Sequence, residues 1–252
     1  PSQLSRIFKC KPLMLVIAMG ILSSGRYMVQ AAAVHVARYA FYIGPDLNGL
    51  SDAERVAAIE ASVSSVKTIF QVCAIVGMFG AMLFMPVLMK KYDYKKIVIV
   101  TCLLGFVASI FTTLIGWFTM NLYVCIPFVL ISCIPLGVLN VISYAMIGDC
   151  LDYMELKTGF RDNGLGSACQ GFLCDNCANL KYSLYSSTAI VAATDLAAGH
   201  RFAMFSLVSI VPGISLLLCA IPMFFYKISG DNKKRILEEL AEKRKAEGIV
   251  IE

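Results

Sequence analysis

A succession of apolar runs, each about as long as a bilayer is thick, limits what this chain can fold into. Crossing ~30 Å of hydrocarbon takes about 20 helical residues. Stretches 66–89 and 97–118, the run from Asn121 to the acids at Asp149, and 202–226 all meet that length. Two more stretches, 13–43 and 164–191, are long enough but carry polar side chains. Backbone polar groups in lipid must be satisfied internally, so the expected fold is an all-α membrane protein of six transmembrane helices. Composition agrees, since only 15% of the 252 residues are charged, against about 25% in soluble domains. The formal charge of +5 is spread over several loops, which argues against a nucleic-acid partner. The sequence starts at Pro1 rather than Met and reads as a fragment or half of a longer protein.

The polar interruptions are informative. Pro12 suits the first turn of the first span. Within that span Arg26 falls near mid-depth, too deep to snorkel, and should point into a cavity or towards an acid. Arg38 is close enough to the interface to snorkel, and His35 has no metal-ligating companion. Gly44-Pro45 ends the span, and Ser51 with Glu54 forms a capping box for a short exposed helix before the second span. Gly77 and Gly80 allow close helix approach there. Trp117 anchors the end of the third span, and Pro127 and Pro135 lie in the fourth. The fifth, with Gln170, Asp175, Asn176, Asn179 and Lys181, is the least hydrophobic and must face protein or water. After the sixth, Asp231 caps a charged helix with Ile236, Leu237 and Leu240 on one side and Glu239 four residues before Lys243. Most of the ten cysteines fall in apolar runs and read as small hydrophobes; the Cys174-x-x-Cys177 pair lacks companions for a metal site.

Basic residues collect on one side of the expected bundle: the lead-in Lys9 and Lys11, the Lys90–Lys96 turn, Lys157, Arg161 and the C-terminal tail. The other side has little beyond Arg55 and Arg201. The positive-inside rule then puts both ends of the chain in the cytoplasm of a cell-membrane protein. The expected division is a transmembrane bundle over 1–227 and a cytoplasmic tail over 228–252.

At the cytoplasmic end of the fourth span stand Asp149, Asp152, Glu155 and Asp162, with Lys157 and Arg161 among them. Asp149 and Asp152 are three residues apart and share a helical face that Glu155 continues. Charges at the end of an apolar run are costly unless they pair or meet water, so they mark a pathway or gate. Hydropathy alone also permits a channel or a membrane enzyme, but neither a pore-loop signature nor a catalytic metal motif appears.

The order Asp149, Asp152, Tyr153, Glu155, Lys157, Arg161, then Gln170 and Phe172 resembles the signature between helices ten and eleven of the glycoside-pentoside-hexuronide:cation symporters. These are melibiose-permease-like members of the major facilitator superfamily, and weaker resemblance covers most of the chain. It implies helices seven to twelve of a twelve-helix transporter, built as two inverted three-helix units. It also implies symport of a sugar, glycoside or related small solute with Na+ or H+, and no enzymatic activity. The coupling cation would be bound mainly by the N-terminal six-helix half. Asp149, Asp152, Glu155, Lys157 and Arg161 would form the gating charge network. Gln170 would face the substrate cavity with Arg26, Asn140, Tyr144 and Asp175. Two positions depart from the family pattern: Asn140 replaces a Trp, for which Tyr144 one turn on could substitute, and Asp175 stands near an expected Lys. The other reading is a non-transporting sensor or a degenerate half-transporter.

Overall fold

The computed structural model describes residues 10–27, 41–46, 49, 51–119, 121–159, 164, 168, 171 and 198–246. Among these residues the regular elements are all helical. Among the described residues three helices are long and apolar enough to cross a membrane.

Helix α1, Lys11–Leu22, carries Pro12 in its first turn. Its 12 residues span about 18 Å. The expected first span, whose positions 28–40 lie outside the described residues, then changes to a 3₁₀ segment, Ser23–Tyr27. The cause is local: the Ser23 and Ser24 hydroxyls donate back to the Gly20 and Ile21 carbonyls, at 2.9 and 2.7 Å. Such bonds three residues back favour the tighter winding.

Helix α2, Asp52–Lys91, is continuous over 40 residues. The sequence suggested a short capped helix followed by a separate span; the capping box is present, but nothing interrupts the helix after it. The reason is visible in the residues, since no Gly or Pro occurs between Ser51 and Gly77. The Glu54 carboxylate accepts from the Ser51 N–H at 3.0 Å and from its hydroxyl at 2.7 Å. These bonds hold the Glu54 pKa below the ordinary value.

Helix α3, Tyr94–Thr119, matches the third expected span. Helix α4, Leu122–Thr158, starts at Asn121, whose side chain accepts from the Tyr123 N–H at 3.0 Å. It ends at Gly159, whose φ of 74° is the left-handed conformation of a helix C-cap. At 37 residues α4 is about 55 Å long, so it extends past the bilayer and carries the acids on its last turns. Helix α5 is Ala198–Phe225 and helix α6 is Asp231–Ala246. Of the fifth expected span only positions 164, 168 and 171 are described.

Helix α4 is the centre of the arrangement, packing on α1, α2, α3 and α6, while α5 packs on α1 and α3. Lipid tails are as apolar as leucine, so helices in a membrane associate through close packing rather than hydrophobic exclusion. The α2–α4 contact shows this directly. A Cβ on Gly137 would lie 2.1 Å from the Met78 carbonyl oxygen, and one on Gly77 would lie 2.8 Å from that of Leu130. Gly80, expected to serve similarly, has nothing within 4 Å. Elsewhere on α2, Leu83, Phe84 and Val87 stay exposed, as lipid-facing side chains do.

The tail helix differs most from expectation. Ile236 and Leu240 are buried, Leu237 remains outside, and Ile228 and Ile236 join the same core as Met146, Met223 and Tyr226. Lys243 does not complete the expected pair with Glu239. It donates to the Leu156 carbonyl of α4 at 3.3 Å, while Glu239 pairs with Arg235 at 3.5 Å. An exposed carbonyl at the end of α4 attracts a cation.

Candidate functional site

Two polar clusters lie along α4. Asn140 and Asp149 mark them, nine residues apart, or about 14 Å along the helix axis.

The deeper cluster centres on Arg26, which is 6% exposed. The 3₁₀ segment positions it, and Gly25 lets that segment approach α5, where a Cβ would come within 2.6 Å of Ser215 Cβ. Arg26 Nη1 donates to Ser23 Oγ. Its Nη2 donates to Asn140 Oδ1 at 2.7 Å and to the Tyr27 hydroxyl at 3.1 Å. The Tyr27 hydroxyl donates in turn to the same Asn140 oxygen at 2.8 Å. The guanidinium also lies 4.8 Å from the Tyr27 ring centre. Its Nε has no hydrogen-bond partner, and among the described residues no carboxylate pairs with this charge. A buried cation held only by neutral oxygens retains most of its field and one unused donor.

The structure thus brings Arg26 and Asn140 together, two residues the sequence singled out separately. It adds Ser23 and Tyr27, which sequence reasoning missed, although Tyr27 directly follows the arginine. Tyr144 is exposed one turn further along α4. Gln170 and Asp175 lie outside the described residues.

The second cluster contains Asp149, Asp152 and Glu155, on one face of α4 as their spacing predicts. Their described partners come from α6. Lys233 Nζ lies 2.7 Å from Asp149 Oδ2. Arg244 grips Glu155 with two bonds, Nε to Oε1 at 2.8 Å and Nη2 to Oε2 at 2.5 Å, and approaches Asp152 Oδ1 to 3.8 Å. Two-point guanidinium–carboxylate contacts fix orientation as well as charge. Lys157 is exposed on the last turn of α4, and Arg161 lies outside the described residues.

Lys233 also sits 4.2 Å above the Tyr94 ring. Burial opposes its charge, but the bond to Asp149, that acid's charge and Tyr94 together leave its pKa above the ordinary lysine value. The bond to Glu155 likewise raises Arg244, against a smaller effect of burial, with the Glu155 and Asp152 charges adding to it. The missed signal was periodic: Lys233 and Arg244 are eleven residues apart, about three turns, and therefore share a face of α6.

At the same end of the bundle, the turn between α2 and α3 meets the junction of α5 and α6. Asp93 Oδ1 accepts from the Gly230 N–H at 3.2 Å, and Lys95 Nζ donates to the Phe224 carbonyl at 2.9 Å. The Lys90–Lys96 turn and the tail therefore lie on one side. The described cysteines, Cys73, Cys102, Cys125, Cys133 and Cys219 among them, are free and buried.

Residues 64–230 match the family described as MFS/sugar transport protein. The chain is also 25% identical over 247 residues to a Bacillus subtilis (strain 168) protein named "Uncharacterized symporter YjmB". That similarity takes in 92% of this chain and 47% of the relative, so the chain spans about half the length of the curated relative it matches.

Proposed function

Because the chain belongs to the MFS/sugar transport family, we propose that it forms the C-terminal six-helix half of a secondary transporter of the melibiose-permease-like branch. It would move a sugar, glycoside or related small solute by alternating access, coupled to Na+ or H+, with the cation bound mainly by an N-terminal half. The relative's name supports symport. The observation that carries a solute site is the Arg26–Tyr27–Asn140 cluster, which presents a buried charge and an unused Nε without a carboxylate among the described residues. Polar solutes rich in oxygen match such a donor, and membrane-buried ionisable groups serve solute pathways. Gln170, Asp175 and Tyr144 complete the proposed cavity.

The gate belongs to the cytoplasmic end of α4. Charge pairs suit it because they cost desolvation when closed and separate readily once water enters. In this proposal Asp149, Asp152 and Glu155 exchange partners during the cycle, between α6 on one side and Lys157, Arg161 or the N-terminal half on the other.

The test is uptake of labelled hexoses, pentoses, glycosides and hexuronates into vesicles holding the intact protein, under imposed Na+ or H+ gradients. Gradient-driven accumulation of one of these, abolished by Arg26→Gln, is expected. A well-inserted protein that accumulates none of them under either gradient would sink the symporter reading and favour the sensor or degenerate half-transporter.

A further inference from the structure

A cavity of about 730 Å³ opens where the start of α1, the end of α4, the end of α5 and the first turns of α6 meet. Of the residues in the two clusters and the proposed gate, Lys157 alone lines it among the described residues. Its rim carries four cations, Lys11, Lys157, Lys227 and Arg235, against one acid, Glu239. Glu239 is taken by Arg235, at 3.5 Å. The three lysines are exposed, and among the described residues none of them pairs with a carboxylate. The same cavity is lined by Met14, Leu15, Phe225, Ile228 and Ile236, with the Tyr153 ring beside them. Phe225 is 67% exposed at the end of an apolar helix. Three ammonium groups without a carboxylate partner among the described residues, beside an open apolar wall, are complementary to one kind of ligand, an anionic head joined to a hydrocarbon tail.

We propose that this crevice binds an anionic phospholipid. Lys11, Lys157 and Lys227 would hold the phosphate, and the acyl chain would run along Met14, Leu15 and Phe225 into the bilayer. Two features set this apart from general attraction of a basic surface to an acidic membrane. Lys11 opens α1, Lys157 lies on the last turn of α4 and Lys227 sits in the connection between α5 and α6, so a bound phosphate would tie α1 and α4 to that connection. The tail helix α6 supplies part of the wall through Ile236, so occupancy is linked to α6 docking. Basic pockets between transmembrane helices, beside the headgroup layer, are a recurrent form of lipid recognition. The volume is also within the range of small-molecule sites.

The inference depends on the chain lying in a membrane and not on what it transports, so it stands or falls separately from the proposed symport. The test uses the intact protein purified in a mild detergent and exposed to phosphatidylglycerol, phosphatidylcholine or inorganic phosphate. Bound lipid is counted by native mass spectrometry. Phosphatidylglycerol should be retained in preference to phosphatidylcholine, and inorganic phosphate should not displace it. Each single Lys→Gln change at 11, 157 or 227 should weaken retention about five-fold, and the triple change about a hundredfold. The triple Lys→Arg variant should retain the lipid, and so should Lys90→Gln/Lys91→Gln/Lys96→Gln on the neighbouring basic turn. Photoreactive phosphatidylglycerol should label unmodified protein at residues 11–15 and 225–236, a readout independent of how the variants fold. Equal retention of both lipids, an unaffected triple Gln variant, or labelling confined to other segments overturns the proposal. Displacement by inorganic phosphate as strong as by phosphatidylglycerol also overturns it, in favour of a free-anion site.

Discussion

Asn140 illustrates how one side chain can serve two buried groups. Its Oδ1 accepts from both Arg26 and Tyr27, so Asn140→Leu leaves two donors without that acceptor. The expected cost is about 1–3 kcal/mol of stability, more than for an exposed position, read as a lower thermal midpoint in detergent. Asn140→Asp should lose less, because a carboxylate can accept the same bonds. The Lys233–Asp149 pair makes a prediction in pH. The folded pKa of Lys233 is raised, so its contribution is complete below the unfolded lysine value of about 10.4. It is lost as pH climbs from there through the folded value. A spin label on α6 should therefore report undocking at strongly alkaline pH, and Lys233→Ala should show a weakened dock already at neutral pH. A wild-type label unmoved across that alkaline range would remove the pair from the docking account. Sequence reading found Arg26 and the acids individually, because burial cost and helical spacing are local properties, and reached Asn140 only as a departure from the family pattern. It could not find who meets whom: Arg26 and Asn140 are 114 residues apart, and Glu155 and Arg244 are 89 apart.

At the scale of helices, the clearest test is a pair of glycines on opposite sides of the same expectation. Gly77 and Gly80 looked equivalent in sequence, yet only Gly77 lies in a contact, while Gly137 supplies the tighter half of it. Gly137→Ala pushes a methyl into the Met78 carbonyl and should cost about 1–3 kcal/mol by separating α2 from α4. Gly80→Ala should cost nothing measurable and gain slightly from helix propensity. Comparing the two thermal midpoints checks the packing; equal losses would mean that the α2–α4 crossing is wrong. Helix boundaries were legible where punctuation was strong, as at Asn121 before α4. They were not legible where helix formers ran on, as in α2, or where two serines tightened α1 into a 3₁₀ turn. No hydropathy average registers either event.

For the molecule as a whole, the bonds from Asp93 and Lys95 to the α5–α6 junction put the basic turn and the tail on one side. Single cysteines at Lys90 and at Glu242 should therefore react with a membrane-impermeant reagent from the same face, the cytoplasmic one if basic loops stay inside. Reaction from opposite faces would contradict the packing itself. The tail was expected to be an appendage, because its charges resemble those of any solvated helix. What binds it to the bundle is that Lys233 and Arg244 face three acids whose positions only the folded α4 fixes.

The bond between Ser215 and the carbonyl of Leu22 closes across 193 residues, and this has a bearing on biogenesis. When α1 leaves the ribosome, that carbonyl has no such partner. Translation at ~5–20 residues per second delays Ser215 by roughly 10–40 s. During that interval the junction of α1 with the 3₁₀ segment lacks this bond, and it gains it only when α5 arrives.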